Sequence, residues 1–159
     1  MLFFKKKDKQ KSNNSNYAPR LQVPKKLDDE FTFSITGTQY YQKDIESLGT
    51  PSEWYKASKE KLKEANKQRY YQYYFGDLLY SMMPEPTNPH DKEAIIVLAN
   101  GVKIGYVPAI YTDIVRAYMK QKTVKVSGEL MGGNYISQDF GKWQKVAAPF
   151  YCDITISLK

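Results

Sequence analysis

The chain has 159 residues, 42% of them hydrophobic and 14% aromatic, which is enough to bury a core as one domain and excludes wholesale disorder. A single cysteine, Cys152, and a single histidine, His90, exclude a disulfide framework and argue against a metal centre built on several such residues. No apolar run approaches the roughly 18 residues of a membrane span and the chain shows no signal-peptide pattern, so we expect a soluble cytoplasmic protein. We also expect no cofactor.

The formal net charge of +7 is confined to the first 26 residues. That segment carries eight lysines and arginines against one aspartate, whereas residues 27–159 carry sixteen charges of each sign. It also lacks hydrophobic periodicity, which predicts a flexible basic arm. The arm serves either as a solubilising tail, as a non-specific contact to phosphates, or as a weak contact to an anionic membrane through Leu2, Phe3 and Phe4. We expect the folded domain over residues 27–159, and its neutrality means that a high pI alone does not indicate a nucleic-acid binder.

The first predicted elements of the folded part are a strand and a helix. Alternating apolar residues predict a strand over residues 31–36, which Gly37 interrupts. From Pro51 onward, good helix formers predict an inserted helix over about residues 51–69. Lysines recur along it at three- and four-residue steps, forming either a solvated face or a surface that contacts phosphates. These lysines are Lys56, Lys59, Lys63 and Lys67.

The second half of the chain reads mainly as strands. Asn100-Gly101 between two apolar runs is a strong hairpin signal. The predicted elements are strands over residues 78–83, 93–98, 102–107, 123–130 and 150–158, a helix over 110–121, and a polar hairpin or loop over 132–145. Together they predict a mainly β fold with some helix, an α+β chain forming a small, partly open β-barrel with one internal and one inserted helix.

The sequence contains few residue patterns typical of enzyme active sites. The glycine pair at 132–133 lacks the lysine and helix start of a phosphate loop. Cys152 lies within an alternating strand, which predicts a buried thiol, and the neighbours His90 and Asp91 are expected to point apart. We therefore predict that the protein is not an enzyme.

Two features stand out as candidates for binding. Tyr40-Tyr41 follows a strand and a glycine, where aromatic rings either stack on unpaired bases or pack into the core. Residues 88–91, Asn-Pro-His-Asp, present a carboxylate just before a strand. They form either part of a binding site or an Asx-type turn that satisfies local amides.

Three segments are informative together: residues 35–41 (ITGTQYY), 85–97 (EPTNPHDKEAIIV) and 101–108 (GVKIGYVP). They resemble the HIRAN domain family, which occurs in fork-remodelling helicases and as free-standing bacterial and phage proteins. The resemblance implies an OB-like barrel that captures the 3′ end of single-stranded DNA. It further implies that Tyr40 and Tyr41 stack on or flank the terminal bases, and that Asp91 accepts a hydrogen bond from the 3′-hydroxyl.

The resemblance assigns further positions to the same site. It implies that Asn88 supports the turn, that Tyr106 lines the pocket, and that His90 stands where an aromatic residue is typical. Gln39 stands where eukaryotic members carry an arginine and Ala109 where a basic residue is common, so two phosphate contacts are weakened.

The predicted partner is therefore a single-stranded DNA end, in DNA repair, replication or a mobile element, with a helicase or nuclease as candidate protein partner. The alternative is a protein-interaction module whose groove holds a peptide. The sequence does not indicate an oligomeric state.

Overall fold

The computed structural model describes residues 19–65 and 67–159, and the fold is mostly β with few helices. Residues 1–18, most of the predicted basic arm, lie outside the described residues. The α-helices are α1 (Gln42–Ser47), α2 (Lys59–Glu64) and α3 (Thr112–Met119), and 3-10 turns span Thr38–Tyr40, Glu53–Lys56 and Ala109–Tyr111. The strands are β1 (Glu30–Ser34), β2 (Thr50–Pro51), β3 (Arg69–Tyr71), β4 (Tyr73–Tyr74), β5 (Tyr80–Pro84), β6 (Ile95–Ala99), β7 (Val102–Tyr106), β8 (Val124–Gly132), β9 (Tyr135–Asp139), β10 (Lys142–Val146) and β11 (Phe150–Leu158).

The strands pair into four small sheets. The orders are β1-β11-β8, β5-β6-β7, β10-β9-β3 and β2-β4, and each pairing is antiparallel. A further antiparallel bridge joins Thr36, beyond the end of β1, to Tyr106 at the end of β7. Among the described residues this pairing does not close into one barrel, so the OB-like barrel stays a prediction.

The main core lies between the sheets and α3. Period-two burial along β6 and β11 places Ile95, Val97, Ile154 and Ile156 inside, all fully buried. The alternating pattern places the Cys152 thiol on the same buried face, as predicted, and burial raises its pKa to about 12.

Most predicted strands in the second half are confirmed. β11 covers the predicted residues 150–158, and the polar segment after β8 is a hairpin of β9 and β10. Asn100 and Gly101 have φ values of 49° and 79°, which the two-residue turn between β6 and β7 requires. These elements were predictable because their signals are local.

The predicted continuous helix over residues 51–69 is wrong. The segment divides into β2, a 3-10 turn and the six-residue α2, whose N-cap Ser58 accepts a hydrogen bond from the Lys61 amide. Residues from Arg69 onward join β9 as β3. Tertiary packing prevails over helix propensity here, because Trp54 must turn back to stack on buried Tyr70 at 5.6 Å between ring centroids. Of the four lysines in the predicted stripe, only Lys59 and Lys63 lie on α2.

Two further differences concern neighbouring segments. The tyrosine-rich run over residues 70–75, directly after the predicted helix, forms β3 and β4 and contributes to the core. Helix α1, directly after Tyr41, was not predicted. Within the part of the chain that the structure describes, no helix has the length and apolar character to cross a membrane.

Candidate nucleic-acid interface

The segment between β5 and β6 is a turn organised by Asn88. Its Oδ1 accepts hydrogen bonds from the backbone N–H groups of His90 (2.9 Å) and Asp91 (3.0 Å). Asp91 Oδ1 accepts one from the Glu93 amide (2.9 Å). The Asx-turn interpretation of this segment is therefore confirmed for Asn88 and for one carboxylate oxygen of Asp91. The ion pair that Asp91 forms with Arg20 is also at Oδ1, at 3.6 Å.

A hydrogen-bond network fixes the ring of Tyr106. Its hydroxyl donates to Glu85 Oε2 at 3.0 Å and accepts from Asn88 Nδ2 at 3.2 Å and from Tyr41 at 3.3 Å. Burial raises the pKa of Tyr106, so the hydroxyl stays protonated and keeps donating. The network joins the turn at Asn88 to the two inner tyrosine rings and positions them together.

Lys103 and Glu85 form the charged part of this network. Lys103 Nζ lies 2.7 Å from Glu85 Oε1 and 4.5 Å from the centroid of the Tyr106 ring. The hydrogen bonds from Lys103 and Asn88 lower the pKa of Glu85. Burial by itself would lower the pKa of Lys103, but its bonds to Glu85 and to the hydroxyls of Tyr106 and Tyr41 outweigh burial and raise it. The pair is therefore ionised and its charges cancel, so Lys103 stabilises the site without adding net positive charge.

A backbone approach brings the two halves of the site together. The amides of Thr36 and Tyr106 each donate to the other residue's carbonyl at 2.9 Å. A Cβ on Gly105 would lie 2.6 Å from the Thr36 carbonyl oxygen, so only glycine permits this contact. Gly37, at φ 78°, then turns the chain into the 3-10 turn that carries Tyr40.

These elements surround a cavity of about 480 Å³. Tyr40 is 79% exposed, whereas Tyr41 and Tyr106 are half-buried, with 6.2 Å between their ring centroids. Of the predicted site residues, the cavity is lined by Tyr40, Tyr41, Asn88, His90, Asp91 and Tyr106. Gln39 lies in the same 3-10 turn, exposed, and is not part of the lining. The remaining lining residues, not predicted as site residues, are Thr36, Ala94, Val107 and Ala109.

A comparison with protein-family models matches residues 28–155 to the HIRAN domain. The chain belongs to the HIRAN domain family. The match confirms the resemblance of the three sequence segments. The HIRAN family consists of modules that bind single-stranded DNA. Searches of curated proteins and of solved structures returned no match to this chain.

The structure places one residue from outside the family match beside Asp91 of the HIRAN pocket. Arg20 Nη2 lies 3.6 Å from Asp91 Oδ1, and its Nη1 lies 3.3 Å from Asp113 Oδ1. The neighbouring Leu21 amide donates to the Ile110 carbonyl at 2.9 Å, which holds this part of the chain against the domain. No local pattern in the sequence indicated Arg20, because the contact spans 71 positions along the chain. The boundary of the arm at residue 26 stays a prediction, and its last residues contact the HIRAN domain.

The charge around this HIRAN pocket is close to balanced. The Lys103–Glu85 pair is neutral, and Arg20 lies between the carboxylates of Asp91 and Asp113. Glu85 and Lys103 lie within the segments that carry the family resemblance, so their sequence context, although not their geometry, could have indicated them. A pocket of this composition does not attract phosphates strongly, and its apolar rings offer surface for stacking instead.

Proposed function

We propose that this HIRAN domain recognises the 3′-hydroxyl end of single-stranded DNA and does so without catalysis. The observation that carries the proposal is the position of the Asp91 carboxylate on the same cavity as the rings of Tyr40, Tyr41 and Tyr106, with its contacts to Glu93 and Arg20 at Oδ1. One oxygen of Asp91 is used by its own turn, which orients the carboxylate. In this proposal the second oxygen accepts the hydrogen bond of the ligand.

A carboxylate in a DNA site selects for a chain end. Phosphates along the strand are negatively charged and are repelled by Asp91, whereas a terminal hydroxyl donates a hydrogen bond to it. A hydrogen bond to a charged group contributes about 1.5–3 kcal/mol, which corresponds to roughly ten- to 150-fold in affinity. Asp91 therefore favours a free 3′-hydroxyl and disfavours either a 3′-phosphate or the middle of a strand.

The tyrosine rings supply affinity that does not depend on charge. Stacking of a base on an aromatic ring contributes about 1–3 kcal/mol. Tyr40 has both the exposure and the position at the cavity mouth for such stacking, while Tyr41 and Tyr106 form the fixed wall beneath it. Affinity from stacking combined with end selection from Asp91 accounts for a DNA site without a cluster of unpaired cations. We propose that this DNA binding serves DNA repair, replication or a mobile element. We further propose that the domain is an OB-like barrel and acts in the cytoplasm.

The test of this proposal compares two oligonucleotides of one sequence. In fluorescence polarisation at ~100 mM salt, the oligonucleotide with a 3′-hydroxyl should bind about tenfold or more tightly than the one with a 3′-phosphate. Equal affinities would contradict end recognition and leave only general DNA binding. If neither oligonucleotide bound, the peptide-binding alternative would replace the proposal.

The basic arm should affect both oligonucleotides alike. Deleting residues 1–18 removes five lysines and one aspartate but retains Arg20 at the pocket. We expect both affinities to fall by the same factor, and the slope of log K against log salt to flatten by up to about 3, since each neutralised phosphate on a single strand contributes about 0.7. The preference for the 3′-hydroxyl should be unchanged. A change in that preference, measured as the ratio of the two dissociation constants, would show that the arm takes part in end recognition.

A further inference from the structure

A second surface with nucleic-acid chemistry lies on residues 53–71 and 135–146, which we call the basic lobe. The lobe has a core of its own, formed by the buried side chains of Leu62, Tyr70 and Ile136 with Trp54 and Trp143 packed against them. None of its residues lines the cavity at Asp91. Its surface is therefore available for a role separate from that of the pocket.

The basic lobe concentrates positive charge in a domain that is neutral as a whole. It carries eight lysines and arginines against four carboxylates, while the rest of residues 27–159 carries eight against twelve. All eight cationic side chains are exposed, and among the described residues none lies within 4.0 Å of a carboxylate oxygen. They are Lys56, Lys59, Lys61, Lys63, Lys67, Arg69, Lys142 and Lys145. Such unpaired cations favour a polyanionic partner.

The outer face of strands β3 and β9 combines these cations with aromatic and amide groups. Strand alternation puts Arg69 and Tyr135 on the face opposite the lobe's core, and the Arg69 guanidinium lies 4.4 Å from the centroid of the Tyr135 ring. A cavity of about 600 Å³ opens there, and its lining also includes Gln68, Gln138, Gln144 and the acidic residue Asp139. Stacked arginine, tyrosine and amide groups suit the planar, hydrogen-bonding bases of an unpaired strand.

Phe140 at the tip of the β9–β10 hairpin has no role in the fold itself. Its side chain is 100% exposed, and its φ is 45° in a two-residue turn completed by Gly141 at 77°. The turn between β6 and β7 has similar φ values, 49° at Asn100 and 79° at Gly101, with asparagine at the position that corresponds to Phe140. A bulky aromatic residue in this conformation is strained, and its exposure offers no compensating burial.

We propose that the basic lobe binds single-stranded DNA, with Arg69 and Lys142 against phosphates and Phe140 stacked on a base. Phe140 is the one large apolar side chain exposed on the lobe's described residues, and it stands beside charged and amide groups, which fits a strand with separated bases better than a lipid surface. The proposal rests on DNA binding by the HIRAN domain but does not depend on recognition of a 3′ end. It gives the inserted segment a role: holding a length of strand that the pocket does not reach.

The first test replaces Phe140 with the residue that the turn prefers. Phe140→Asn should raise the melting temperature, because asparagine tolerates positive φ, and should weaken binding of a 20-nucleotide single strand about fivefold or more by loss of stacking. Opposite changes in stability and affinity distinguish a binding role from a structural one. Unchanged affinity for the 20-nucleotide strand would overturn the proposal.

The second test removes charge from the basic lobe. The double variant Arg69→Gln/Lys142→Gln should bind the 20-nucleotide strand about fivefold more weakly and lower the salt slope by about 1.4, at about 0.7 per lost contact. The control Lys120→Gln/Lys122→Gln removes the same charge from exposed positions outside the lobe and should leave affinity nearly unchanged. Equal losses for the two double variants would overturn the proposal in favour of a general charge effect.

Strand length and end chemistry separate this inference from the proposed function. Both lobe variants should bind strands that end in a 3′-hydroxyl or a 3′-phosphate more weakly by the same factor. Their affinity for a tetranucleotide should change by less than twofold. If the 3′-hydroxyl preference is absent but the lobe effects are present, end recognition fails and the lobe proposal stands. If the lobe variants bound phosphatidylglycerol vesicles more weakly than the unmodified protein did, but bound DNA equally well, the lobe proposal would be overturned. The lobe would then be a membrane-binding surface.

Discussion

Asp91→Asn is expected to reduce the preference for a 3′-hydroxyl over a 3′-phosphate from about tenfold or more to less than about twofold. Asparagine keeps an Oδ1 that accepts the Glu93 amide hydrogen bond, so the turn should survive. The substitution removes the negative charge that repels a terminal phosphate and weakens the hydrogen bond from a terminal hydroxyl. Affinity for the 3′-hydroxyl strand should fall, and affinity for the 3′-phosphate strand should rise or stay constant.

The matched control for this prediction is Asp113→Asn. Asp113 also pairs with Arg20, at 3.3 Å, and loses the same charge on substitution, but it does not line the cavity. We expect this variant to keep the end preference of the unmodified protein. Both variants are measured with the same pair of oligonucleotides by fluorescence polarisation at ~100 mM salt, with a thermal melt to verify folding. If Asp113→Asn lost the preference as fully as Asp91→Asn did, the preference would arise from the general field around Arg20 and not from Asp91.

Gly105→Ala is expected to lower the free energy of unfolding by about 2–4 kcal/mol and to weaken DNA binding at the same time. The added Cβ would lie 2.6 Å from the Thr36 carbonyl oxygen and 3.0 Å from Ile35 Cδ1. The first of these is backbone, so the chain itself must move and the paired hydrogen bonds between Thr36 and Tyr106 must lengthen. Because Tyr106 anchors the network at the pocket, its displacement should also release Tyr41.

The control is Gly76→Ala, at a glycine where an added Cβ meets no atom within 4 Å. Urea denaturation should place that variant within about 0.5 kcal/mol of the unmodified protein, with an unchanged m-value. For a domain of this size, the loss at Gly105 corresponds to a fall in melting temperature of roughly 5–15 °C. A Gly105→Ala variant as stable as the Gly76→Ala variant would show that the bridge between Thr36 and Tyr106 is loose.

The extent to which the sequence predicts this fold depends on the range of the interactions involved. The hairpin at Asn100-Gly101 was predictable because two neighbouring residues meet the φ requirement of the turn. Strand β11 was predictable because alternation of buried residues is a local pattern. The prediction over residues 51–69 was wrong because Trp54 and Tyr70 contact across the segment. That packing outweighs helix propensity, which contributes little to stability even for good helix formers such as lysine and glutamate.

In the candidate site, too, the features set by neighbouring residues were predictable and those set by distant residues were not. The turn at Asn88 and the carboxylate of Asp91 could be identified from adjacent residues and from family resemblance. Glu85 and Lys103 were not predicted as site residues, because their pairing depends on the register of β5, β6 and β7. Gln39 was predicted but lies outside the cavity lining, since the 3-10 turn directs Tyr40 towards the cavity and Gln39 towards solvent. The roles of these residues in DNA binding stay predictions, and Asp91→Asn tests that of Asp91.

By itself, the sequence determined the family, the β-rich character of the domain and the buried position of Cys152, because these depend on short motifs and on period-two patterns. The tertiary structure decided that Arg20 lies beside Asp91, that Tyr106 is held by Glu85, and that scattered lysines and arginines gather on one lobe. Each of these depends on residues far apart in the chain. Their proximity is set by strand pairing and core packing, which no local pattern encodes.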